Sequence, residues 1–281
     1  MKLLLICLAV PALLLPVGCL IYILMHAWPA LSWDLIFGVD IAAINDMTGG
    51  FGSMANIEQG LWQQMAGSLL LMGLACVLAA PVALAIALYH ALWARPRSKR
   101  LLLAGLQVLQ GIPPIVYGLC GLVLLVYMLH WGISLAAGGV ILAVVILPLL
   151  ASNMIHALER VPVEQTDAAR LLGLSDAATV GRVWWPLAWP GMMTGLLLGM
   201  ARALAETAPI LFTATVFSGV SWPDSMMSPV TTLQTHIFYL AQEGSNAHAV
   251  DVAWASAAIL LALVACFSLM AWRLRQYEER L

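Results

Sequence analysis

The chain has 281 residues, of which 63% are hydrophobic and only 9% charged, and its formal net charge is −2. Soluble domains carry about 25% charged residues, so this chain cannot cover a water-facing surface and reads as an all-α integral membrane protein. The near-neutral charge excludes an electrostatic nucleic-acid binder, and without a GxxxxGK[ST] motif there is no P-loop nucleotide site.

A bilayer core takes about 20 apolar residues of helix. On that measure the first predicted span runs from Leu3 to Ala27 and is read as an uncleaved span, because no small-x-small site follows it. The second runs from Gly67 to Trp93. The third covers Leu101 to Leu129 and is interrupted at Gly111-Ile112-Pro113-Pro114. The fourth covers Ile133 to His156, the fifth Pro190 to Phe217, and the sixth Val252 to Trp272. Between them lie Pro29–Gln64, Arg95–Arg100, His130–Gly132, Ala157–Trp189 and Ser218–Asp251.

The 12 Lys and Arg residues test this layout. Lys2, the four in Arg95–Arg100, Arg160, Arg170, Arg182, Arg273, Arg275 and Arg280 all fall on one side if there are six spans. The positive-inside rule makes that side cytoplasmic, with both termini there. The expected organisation is a first transmembrane helix at 1–28 and a periplasmic loop at 29–64. A five-helix transmembrane domain follows at 65–275, with a cytoplasmic loop at 158–190 and a cytoplasmic tail at 276–281. The twelfth charge, Arg202, falls inside the fifth span. Cys7, Cys19, Cys76, Cys120 and Cys266 lie in apolar runs without a CxxC and read as small fillers. The six histidines form no HExxH, and no metal site is expected.

The cytoplasmic loop reads as two short helices. Pro162 suits a helix start, with Glu164 and Asp167 favourable in the first turns. Gly173 suits a C-terminal cap, and Ser175 can cap the next helix. Arg182 suits the end of that second helix, and Pro186 and Pro190 are expected to stop it. Asp167-Ala168-Ala169, three residues, Gly173, nine residues, then Val183-Trp184-Trp185-Pro186 resembles the EAA loop of ABC importer permeases. That pattern is E-A-A, three residues, G, nine residues, I-x-L-P. Asp167, Val183 and Trp185 depart from it. The resemblance implies a coupling helix seated on a cytoplasmic ATPase, with Asp167, Ala168, Ala169, Leu172, Gly173 and Pro186 at the contact. An ordinary amphipathic hairpin is the plain alternative, and a helix-turn-helix lacks the basic face it would need.

Arg202 and Glu206 are four residues apart and so are expected on one helix face. A charge at mid-bilayer costs about 2.5–3.5 kcal/mol. Such a pair either ties two helices together or handles an anion. The guanidinium fork matches phosphate oxygens. A carboxylate beside it can neutralise the empty site or accept a hydrogen bond from a protonated oxyanion. Phosphate keeps a proton near neutral pH and sulfate does not.

Arg202-Ala203-Leu204-Ala205-Glu206-Thr207-Ala208-Pro209 is similar to the Arg-Ala-x-Gly-Glu-Thr-Ala-Pro segment of phosphate importer permeases of the PstA and PstC type, with Ala205 in place of Gly. Gly111-Ile112-Pro113-Pro114-Ile115-Val116-Tyr117-Gly118-Leu119 resembles that family's G-V-P-S-I-V-Y-G-L. Pro229–Phe238 looks like the PstA-type external segment, expected to fold over the outer mouth. The resemblance implies a type I ABC importer permease, six spans, and a substrate path through Arg202, Glu206, Thr207, Gly111, Pro113 and Pro114. It implies a PstC-type second permease, two PstB-type ATPase subunits and a periplasmic phosphate-binding protein as partners, in the inner membrane. The chain itself would catalyse nothing and bind no cofactor, the partner ATPase using the ATP. Permeases for sulfate, molybdate or phosphonate, an ion-coupled secondary transporter and a membrane-embedded enzyme are the rival readings. The secondary transporter predicts an internal repeat, which is not seen. The enzyme needs a catalytic cluster, and only one buried Arg/Glu pair is present.

Overall fold

The computed structural model describes residues 2–37, 60–216, 222–242 and 247–278. Most of the Pro29–Gln64 loop and the ends of the outer segment lie outside the described residues. The described residues contain helices and no strand. In chain order the helices are α1 (Lys2–Ala27), α2 (Trp33–Phe37), α3 (Trp62–Leu92), α4 (Pro96–Gly111), α5 (Pro114–Gly121), α6 (Leu135–Glu159), α7 (Val163–Leu171), α8 (Asp176–Thr179), α9 (Trp185–Ala205), α10 (Ala208–Thr213), α11 (Leu233–Gln242) and α12 (Ala247–Glu278). Wide π-type turns extend α5 over Leu122–Met128 and join α8 to α9 over Val180–Trp184.

Four helices among the described residues are long and apolar enough to cross a bilayer, or five if α4 and α5 together form one bent span. α9 is not among them. It has 21 residues, but Arg202, two prolines and three glycines lower its hydropathy. Two predicted span starts shift: α3 starts at Trp62 rather than Gly67, and α4 starts at Pro96 inside the basic stretch. Pro96 explains the second shift, since a proline at the first helical position forfeits no hydrogen bond.

The core forms where α3 and α6 pack along their length. Leu71, Ala75, Ala79, Ala83 and Ala87 recur every fourth residue of α3 and are all buried. Small side chains at that spacing let helices approach closely, which is how helices gain packing energy in lipid, where no hydrophobic drive separates tail from side chain. Leu142, Ile146, Leu150 and Met154 supply the matching face of α6.

The two helices run parallel. Leu74 lies against Gly139 near their starts, and His90 Nδ1 lies 3.8 Å from Glu159 Oε1 at their ends. α12 starts at the same end as α3, because Leu233 N donates to Ser68 Oγ at 2.9 Å and His236 Nδ1 lies 3.3 Å from Ser256 Oγ. Parallel neighbours cannot be joined by a short turn. The segments α4–α5 and α9–α10 therefore each return the chain to that end.

Both return segments are broken. Between α4 and α5, Ile112 and Pro113 are extended (ψ 127° and 133°) and the axes turn by 85°. The predicted interruption is thus a right-angle corner rather than a kink. Pro113 and Pro114 donate no backbone hydrogen bond, so the helix cannot carry through. Tyr117 Oη donates back across the corner to Leu109 O at 2.9 Å, meeting one carbonyl that the corner frees. In the fifth predicted span, α9 ends at Ala205 and α10 begins at Ala208, so the span is not continuous. The broken helices meet at Gly118, where an added Cβ would lie 2.9 Å from Pro209 Cα and 3.1 Å from Ala208 O.

Two outcomes follow. Gly118→Ala forces backbone apart and should destabilise the purified protein by about 1–3 kcal/mol; an unchanged unfolding midpoint in detergent would show that the crossing relaxes freely. In α11, burial pushes the His236 imidazole down to about 4 from 6.5. The folded chain thus keeps His236 neutral, while the unfolded chain protonates it below its ordinary value. Stability is full above about pH 6.5 and falls by about 3 kcal/mol towards pH 4. His236→Gln should flatten that slope, measured as unfolding midpoint against pH.

Candidate functional site

Arg202 lies in the last turn of α9. Glu206 is the residue after the helix, with an extended backbone (φ −87°, ψ 127°), and its N–H donates to Ala203 O. The sequence reading put both residues on one continuous helix face. The structure corrects this, because Glu206 has left the helix. Pro209 cannot supply the N–H that the Ala205 carbonyl would need, so the helix ends ahead of it. The pair forms nevertheless: Arg202 Nη2 lies 2.5 Å from Glu206 Oε1, as an ion pair rather than an in-line hydrogen bond.

The two members differ in setting. The Glu206 side chain is 7% exposed and the Arg202 side chain 52% exposed in the isolated chain. The carboxylate is therefore the fixed, walled-in half, and the guanidinium turns to the open side with donors to spare. Thr207, half-buried, opens α10 beside it. The corner at Gly111, Pro113 and Pro114 belongs to the other broken helix. Gly111 and Pro113 are exposed, Pro114 is half-buried, and the two helices meet one turn further on, at Gly118.

The Pro229–Phe238 segment packs into the helix bundle. Val230 N donates to Ala214 O at 2.9 Å, and Leu233, Gln234 and Thr235 are buried. Gln234 Nε2 donates to Leu204 O at 2.6 Å, inside the last turn of α9. Reading the sequence missed Gln234 and Tyr117 as partners of the two breaks. Each stood inside a quoted motif, but no local pattern says which carbonyl such a side chain will find.

At the opposite end, the loop folds as two short helices. α7 ends in a Schellman motif: Gly173 has φ +76°, its N–H donates to Arg170 O, and Leu174 N donates to Ala169 O at 3.1 Å. Ser175 Oγ accepts from Ala178 N at 3.3 Å, as its N-cap position predicts. Trp184 Nε1 donates to Thr166 Oγ1 at 3.0 Å and locks α7 against the start of α9. Asp167, Ala168, Leu172, Gly173 and Pro186 are exposed, whereas Ala169 is buried in the loop's own packing. Leu171 and Leu172 protrude, 89% and 81% exposed.

Pro186 and Pro190 do not stop the helix. Pro186 sits in the first turn of α9 and Pro190 inside it. The wide turn over Val180–Trp184 spaces the backbone so that Pro186 loses no essential bond. The cysteine reading holds for buried Cys76, but Cys19, Cys120 and Cys266 lie on exposed faces.

Comparisons with known proteins agree with this anatomy. The phosphate transport system permease protein PstA 2 of Mycobacterium bovis is 31% identical over 242 residues, 86% of this chain and 75% of that one. PstA 1 of Mycobacterium tuberculosis is 30% identical over 221 residues, 79% of this chain and 72% of that one. Among solved structures, an inward-facing MetNI methionine ABC transporter superposes with a TM-score of 0.57 at 20% identity, covering 78% of this chain and 94% of its own, which speaks to the fold alone. Residues 80–280 match the family described as the inner membrane component of binding-protein-dependent transport systems. This chain is a multi-pass membrane protein with the ABC permease fold and belongs to that family.

Proposed function

We propose that this chain is the permease subunit of an ATP-driven phosphate importer in the inner membrane, crossing six times with both termini cytoplasmic. The observation that carries the reading is the Arg202–Glu206 pair at a helix break, with the carboxylate walled in and the guanidinium open. The PstA names of its relatives support phosphate as the substrate. The one-sided positive charge supports the orientation.

In this reading Arg202 meets the phosphate oxygens, replacing water with two parallel donors. Glu206 keeps Arg202 neutralised when the path is empty and accepts a hydrogen bond from the hydroxyl that hydrogen phosphate retains. Broken backbone at membrane depth is tolerated where it lines a cavity or packs in protein, so Thr207 and the corner Gly111, Pro113 and Pro114 line the same path. A PstC-type second permease would face the open side of Arg202. Two PstB-type ATPase subunits would bind beneath the coupling loops, where Leu171 and Leu172 present apolar surface that an unpartnered loop rarely shows. A periplasmic phosphate-binding protein would dock on the outer loops. The chain binds no cofactor of its own.

ATP-driven closure of the ATPases would displace α7 through Asp167, Ala168, Leu172 and Gly173, with Ala169 and Pro186 holding the loop's shape. The Thr166–Trp184 bond and the unbroken run from α8 into α9 carry that displacement towards Arg202.

The test is uptake by the assembled transporter in proteoliposomes, with phosphate and sulfate in competition. Wild type should prefer phosphate. Glu206→Gln keeps the shape but cannot accept a proton-bearing oxyanion as well, so phosphate uptake should fall about tenfold and the preference over sulfate should shrink. An unchanged preference would remove Glu206 from substrate selection.

A further inference from the structure

Gln234 of α11 is buried and joins three elements. Ser68 Oγ of α3 accepts from Leu233 N at 2.9 Å, which leaves its own hydrogen for Gln234 Oε1 at 3.0 Å. That fixes the orientation of the amide: its oxygen faces Ser68, and its NH2 faces Leu204 O at 2.6 Å.

Leu204 lies between Arg202 and Glu206. In a continuous helix its carbonyl would accept from residue 208, but α9 stops at Ala205. Without another donor, a buried carbonyl two residues before Glu206 would be unsatisfied, at a cost the break cannot easily absorb. Gln234 meets that need from a different part of the chain. The donor is present only while the outer segment is seated, with Val230 bonded to Ala214 and the Thr231 carbonyl packed against Gly67.

We propose that Gln234 is a positioning residue: through Leu204 it holds the end of α9 and so the Arg202–Glu206 geometry, and it makes that geometry depend on how the outer segment is seated. The inference rests on reading the pair as the oxyanion site. It gives an event at the outer surface a route to the pair through two side-chain hydrogen bonds. Gln234 itself touches no substrate.

A double-mutant cycle tests it, with the assembled transporter in proteoliposomes, external phosphate-binding protein and inorganic phosphate as the probe. Gln234→Leu should lower phosphate turnover about tenfold and shrink the phosphate-over-sulfate ratio. In a Glu206→Gln background it should cost less than about twofold more, because the two act through one geometry. Ser68→Ala, which leaves Gln234 in place but frees its amide, should cost about threefold and show the same non-additivity. If the single losses multiply, or if Gln234→Leu leaves the anion ratio unchanged, Gln234 is a packing residue and the proposal is overturned. Should Gln234→Leu fail to assemble, the Ser68→Ala cycle decides by the same criterion. Failure of the underlying reading looks different. It would show as wild type without phosphate preference, or as Glu206→Gln without effect; transport of another oxyanion would move the same cycle to that anion.

Discussion

Backbone hydrogen bonds that have no water to fall back on shape this molecule. In an apolar medium every N–H and C=O needs a partner within the protein. The chain nevertheless breaks two of its return segments, at Ile112–Pro113 and at Glu206–Thr207. Each break is held by a side chain reaching in from elsewhere: Tyr117 for Leu109 O, and Gln234 for Leu204 O. Further on, Ser134 N takes Thr213 O and Val230 N takes Ala214 O, so the end of α10 is also sealed by its neighbours. The broken geometry persists because the surrounding structure meets its hydrogen-bonding needs.

That arrangement explains where the charge sits. A regular helix through this region would carry Arg202 and Glu206 side by side on one surface. Ending the helix at Ala205 turns Glu206 inward and leaves Arg202 at the open side. The same two residues thereby become a walled-in acceptor and an accessible donor. The crossing of α5 and α10 at Gly118 ties this site to the second corner, so the two breaks form one packed unit.

The loop at the other end is built for rigidity. A Schellman motif closes α7, a serine caps α8, and the Trp184–Thr166 bond fastens one to the base of α9. The wide turn at Val180–Trp184 then passes the chain into α9 without a hinge. α7 is thereby joined, through the Thr166–Trp184 bond and a continuous helical run, to the helix whose last turn carries Arg202.

Much of this was legible in the sequence. Low charge and long apolar runs determined a helical membrane protein, because bilayer thickness sets the length of a span. Pro113-Pro114 located one break, since proline lacks the N–H a helix needs. Ser175 and Gly173 located their caps through local chemistry. What only the tertiary structure decided were matters of distant partnership. Pro186 and Pro190 look like stops, yet a wide turn admits them. Arg202 and Glu206 look like helix neighbours, yet one lies past the helix end. Gln234 reads as a polar residue in an outer loop, yet it finds a carbonyl that the break orphaned, Leu204 O. Spacing along a chain reports which groups lack partners nearby, and only packing reports which distant groups supply them.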